Sequence, residues 1–130
     1  MSDKSEILSG FNNHLDELLT NLIEIFPHEH DLKAAAITLG ALRKANPKLI
    51  LPIWERVILN KYEDNIMAGN VKYFLEKDFT EEAKYSGNEK YVLEKIEIVK
   101  KTISVLDEGN LQKVIKYLQN LTELCKLYNS

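Results

Sequence analysis

A chain of 130 residues with a formal net charge of −3 and an isoelectric point near 5.6 has the size of one domain and can bury most of its unfolded surface in one core. That charge balance argues against general nucleic-acid binding, which needs a basic footprint, and neither half carries a block of like charge that would form a tail or a polybasic membrane patch. The single cysteine, Cys125, excludes an internal disulfide and points to a reducing compartment.

The N-terminal Met1-Ser2-Asp3-Lys4-Ser5-Glu6 lacks the basic and apolar regions of a signal peptide, and the longest apolar run, residues 49–54, is far shorter than a membrane span. A soluble, intracellular protein without a membrane partner is the reading that follows.

The first helix is predicted over residues 5–26, where Leu8, Phe11, Leu15, Leu18, Leu22 and Phe26 recur at steps of three or four and make one apolar face. Pro27 ends it, and His28-Glu29-His30 forms a polar turn. Asp31 is the expected N-cap of a second helix running to about residue 45, with Ala34-Ala35-Ala36 and Gly40-Ala41 permitting close approach by a neighbour and Ile37, Leu39 and Leu42 supplying bulk.

The densest apolar stretch follows, residues 46–59, holding the only Trp and two of the three Pro. Asn46 as N-cap and Pro47 as first helical residue would start a third helix, which Pro52 would then kink. Alternatively, the regular helix starts at Pro52 after an irregular turn. Gly69 can close this helix in the left-handed conformation. Asn70 can cap a short fourth helix to about residue 76, and residues 77–87 read as a charged loop with aromatic anchors at Phe79 and Tyr85.

A fifth helix is expected to about residue 106, with Val92, Ile96, Val99, Ile103 and Leu106 forming a heptad-like seam. Asp107-Glu108-Gly109-Asn110 reads as a tight reversal into a sixth helix carrying Leu111, Val114, Leu118, Leu121, Cys125 and Tyr128. The fold class expected is therefore all-α: a single-domain bundle of five to six helices, residues 1–130, ending in an antiparallel helical hairpin. Asn46, Pro47, Ile53 and Trp54 are expected as its structural centre.

Chemistry is hard to find. His28-Glu29-His30 offers at most two convergent ligands, where zinc sites need three or four, and a solvated turn is the plainer account. No Gly-x-Ser-x-Gly elbow or phosphate loop is present, and the adjacent carboxylates Asp16-Glu17 and Glu81-Glu82 point apart on a helix. Neither an enzyme nor a cofactor is expected. Cys125 lies among apolar residues at helical spacing and reads as a buried, inert thiol.

Two surfaces remain as interaction candidates. Arg43, Lys44 and Lys48, with Arg56 nearby, make a small basic strip that can meet phosphates, with Trp54 able to stack on a base; the competing reading puts Trp54 in the core. The aromatic residues Tyr73-Phe74, Phe79 and Tyr85 either anchor a partner or pin the loop to its own core.

Phe26-Pro27, Asp31-Leu32, Ala45-Asn46-Pro47-Lys48-Leu49-Ile50 with Ile53-Trp54, Tyr73-Phe74 and Lys77-Asp78-Phe79 resemble a pattern in small all-helical, uncharacterised proteins of large nucleocytoplasmic DNA viruses of algae and amoebae. The resemblance covers roughly residues 25–80 and contains no catalytic motif. Pro52 departs from the pattern, where a non-proline residue and a straighter helix are expected. The resemblance implies a viral protein acting in the host cytoplasm, the viral factory or the particle.

The function expected is a non-enzymatic interaction or structural protein with a viral or host protein partner. An apolar content that one small core does not obviously need adds homo-oligomerisation as a separate expectation. The alternative is a nucleic-acid accessory factor using Arg43, Lys44, Lys48 and Arg56.

Overall fold

The computed structural model describes residues 3–77 and 87–130, and these residues form six helices around one core. Helix α1 is Lys4–Ile25. Asp3 caps it, accepting from the Ser5 amide at 3.1 Å and the Ser5 hydroxyl at 2.7 Å; these bonds hold the Asp3 carboxyl below its usual range. Helix α2 is His30–Ala45. It begins one residue before Asp31, so Asp31 sits in its first turn, where a carboxylate suits the helix dipole, and caps nothing: the capping position belongs to Glu29, which makes no side-chain bond.

Residues 46–49 do not start a helix as the Asn-Pro pair suggests. The Asn46 side chain accepts from the Lys48 amide at 3.1 Å and its carbonyl from the Leu49 amide at 3.1 Å, closing a turn of the kind Asn favours. The third helix, α3, occupies residues 50–67 in three stretches: regular helix over Ile50–Trp54, a π-helical turn over Glu55–Leu59 and regular helix again over Asn60–Met67. Pro52 lies in its first turn, where a missing amide costs nothing, and so neither kinks nor starts it.

The irregularity falls three residues later. Trp54, Ile58, Tyr62 and Ile66 are spaced by four throughout, and three such steps drift about 120° at 3.6 residues per turn. The π turn, closed by the Asn60 amide on the Glu55 carbonyl, absorbs the extra residue and keeps this row facing the core.

Gly69, at φ +80°, terminates α3 as expected, and the Asn70 amide reaches back to the Asn65 carbonyl at 2.8 Å, a pairing typical of glycine-terminated helices. Asn70 therefore closes one helix and does not cap the next: α4 is Lys72–Glu76, preceded by Val71. Helix α5 is Gly87–Ser104 and α6 is Glu108–Tyr128. Asp107 accepts from the Asn110 amide at 2.9 Å, so it is the cap of α6, and residues 108–110 belong to the helix. The reversal lies earlier, at residues 105–107.

Helices α1 and α6 run antiparallel along most of their lengths: Lys4 stands over the Tyr128 ring, Gly10 faces Leu124, and Asn21 reaches Tyr117. Helix α2 folds back antiparallel to α1, with Arg43 opposite Asn13 and Asp16. Although α5 and α6 are consecutive, the principal neighbour of α5 is α2 and that of α6 is α1.

Helix α3 crosses α6, where Gln119 donates to the terminal carbonyls of Ile66 and Met67 at 3.1 and 3.3 Å. In the centre, Phe11, Trp54, Phe74 and Tyr62 form a chain of ring contacts with centroids 5.8 to 6.4 Å apart. The Lys100 ammonium is buried against Phe74, paired with Glu97 at 2.8 Å and donating to the Lys77 carbonyl, which fixes the end of α4 to α5. The expected seam of Val92, Ile96, Val99 and Ile103 and its counterpart Val114, Leu118, Leu121 and Cys125 are buried. No described helix is long and apolar enough to cross a membrane.

Candidate functional site

The α2–α3 turn divides the basic strip. Arg43 lies on the side of α2 that meets α1, where its guanidinium pairs with Asp16 at 2.5 Å and reaches Asn13 at 3.4 Å. Arg56 projects from the π turn towards α5 and pairs with Glu89. Lys44 and Lys48 are exposed, as is Arg56, but among the described residues neither lysine is paired with a carboxylate.

Beside them lies a cleft of about 250 Å³, bounded by Ser9, Asn12 and Asn13 of α1 together with Arg43, Lys44 and Pro47. Asn12, itself buried, donates to the Pro47 carbonyl at 3.0 Å and so holds the turn against α1. Asn46 and Pro47 are themselves exposed: they shape the turn and do not belong to the core. Ile53 and Trp54 are core residues, which removes Trp54 from any stacking platform for a base.

Of the aromatic candidates, Phe74 is buried and Tyr73 is exposed; Phe79 and Tyr85 lie outside the described residues. His28, Glu29 and His30 are all exposed, and among the described residues no three His, Cys, Asp or Glu side chains converge as metal ligands do. The Cys125 thiol is buried 3.8 Å from the Leu51 carbonyl. Desolvation, with a smaller contribution from the Glu55 carboxylate, pushes it up to about 12, far from the thiolate that reactivity requires.

The largest cleft among those described, about 580 Å³, was not foreseen from the sequence. It runs along the outside of the α1–α6 pair. One rim is the α1 row Glu17, Asn21, Glu24; the other is the α6 row Asn110, Lys113, Tyr117 with Lys116 beside it. Asn21 spans the middle, donating to the Glu17 carbonyl at 3.1 Å and to the Tyr117 hydroxyl at 2.7 Å. The His14 ring rests on Tyr117 at 4.6 Å, its Nδ1 3.7 Å from Glu17. Steps of three, four and seven place each row on one helix face. That signal is present in the sequence, but only the pairing of the first helix with the last turns two polar stripes into two walls.

No protein-family model, curated protein or solved structure matches this chain.

Proposed function

We propose that the protein is a non-enzymatic helical interaction protein that docks an acidic protein partner at the α2–α3 turn. The observation that carries this reading is the exposure of Lys44 and Lys48, neither of them paired with a carboxylate among the described residues, while the neighbouring Arg43 and Arg56 each pair with one. Unpaired cations next to a cleft attract and orient an acidic surface. A buried thiol held in its protonated form removes the only cysteine from nucleophilic chemistry. The viral setting rests on the resemblance over residues 25–80.

The nucleic-acid alternative has less to draw on, because two free lysines neutralise few phosphates. Affinity capture followed by mass spectrometry, comparing the native chain with a Lys44→Glu/Lys48→Glu variant, tests the proposal. Proteins recovered by the native chain and absent with the variant support it; identical recovery by both overturns it.

A further inference from the structure

The α1–α6 cleft has an arrangement of charge that the fold itself does not use. Glu24 on one wall and Lys113 and Lys116 on the other are exposed, and no ion pair among the described residues joins the walls. Between them, two polar atoms are fixed by the bridge that Asn21 makes. The Asn21 amide nitrogen is committed to Glu17 and Tyr117, which leaves its oxygen free to accept and the Tyr117 hydroxyl proton free to donate. An acceptor and a donor side by side match the N–H and C=O of one residue of an extended chain, which point to the same side because each peptide unit is planar and trans. The flanking walls match an ammonium on the α1 side and a carboxylate on the α6 side.

Dimensions choose the size of the occupant. The α6 wall from Asn110 to Asn120 is about 15 Å long at 1.5 Å per residue, the reach of about four extended residues. Packed helices stand roughly 8–10 Å apart, and an extended chain advances at most about 3.6 Å per residue. A single amino acid is too short to bring its two charges to both walls, whereas three residues suffice and include a central residue with an amide on each side. We infer that this cleft binds the zwitterion of a short peptide, with the free amino terminus at Glu24, the free carboxylate at Lys113 and Lys116, and the N–H and C=O of the central residue on Asn21 and Tyr117. The site is separate from the α2–α3 turn and does not depend on the function proposed there.

Titration of the full chain with triglycine, followed through the side-chain amide resonances of Asn21 and the ring resonances of Tyr117, tests this inference. Saturable shifts are expected. N-acetyl-triglycine and triglycine amide should each bind about tenfold more weakly, the scale of one lost charge-assisted contact, and glycine more weakly still. Glu24→Gln should weaken the free peptide and leave the acetylated one unchanged; Lys113→Gln/Lys116→Gln should do the same for the free and amidated pair; Lys44→Gln should change neither. The inference is overturned if triglycine gives no saturable shift, if either blocked form binds as well as the free peptide, or if the wall variants bind like the native chain.

Discussion

Trp54 meets Phe11 edge-on at 5.8 Å and Phe74 at 6.4 Å, and its indole nitrogen has no hydrogen-bond partner among the described residues. Its contribution is therefore bulk without a polar bond. Truncation to alanine removes that bulk, and Trp54→Ala should cost about 3–5 kcal/mol in chemical denaturation. Trp54→Phe loses area but also removes a buried unpaired donor, so its cost should be only about 1 kcal/mol. An equal loss from both would mean that the indole nitrogen is bonded in solution.

Cys125 gives a prediction of a different kind. Its pKa is raised on folding, so the native state favours the protonated thiol. The stability this confers is complete below pH 9.0 and is lost as pH rises towards about 12. At mildly alkaline pH iodoacetamide should leave the native protein unmodified and alkylate it once denaturant is added; equal rates in both conditions would refute the buried, protonated thiol.

Among the elements, α3 is the one whose regularity the spacing of its own side chains breaks. If the π turn exists to absorb one residue between Trp54 and Tyr62, then deleting the exposed Asn60 converts that stretch to regular helix with both flanks still facing the core. Circular dichroism and denaturation should find this variant within about 1 kcal/mol of the parent. Deleting Asp64, in the regular part, rotates Ile66 about 100° away from the core and should cost at least about 2 kcal/mol. Equal tolerance of the two deletions would remove this account of the π turn.

The same helix shows what the sequence could and could not convey. Its apolar row was legible as period, and so were the seams of α5 and α6, because a face that must be buried writes itself at three- and four-residue steps. The effect of Pro52 is not legible locally, because it depends on where its helix begins, and that is set by the Asn46 side chain closing a turn. Asp31 has the side chain of a cap, but one residue of shift puts it inside the helix.

The whole molecule depends on pairings that no local pattern specifies. Reading consecutive helices as neighbours overlooks that α6 takes α1, from the other end of the chain, as its main partner, and the charged cleft exists only because of that pairing. The basic strip is split in the same way on one side: Arg43 pairs with the preceding helix, but Arg56 is drawn to α5, which is not its neighbour in sequence. Most of the apolar content packs into one core. Among the described residues, the large apolar side chains left exposed, Ile37, Met67, Tyr73, Tyr91 and Leu127, fall one to each of α2, α3, α4, α5 and α6, and Val105 falls in the turn before α6.

Placing the only tryptophan where α1, α3 and α4 meet has an optical consequence. The fluorophore sits in a buried, apolar surround built from three helices at once, with Tyr62 one ring further on as an energy donor. Its emission colour is thus a built-in gauge of whether those three helices are assembled, and loosening of any one of them admits solvent to the same reporter.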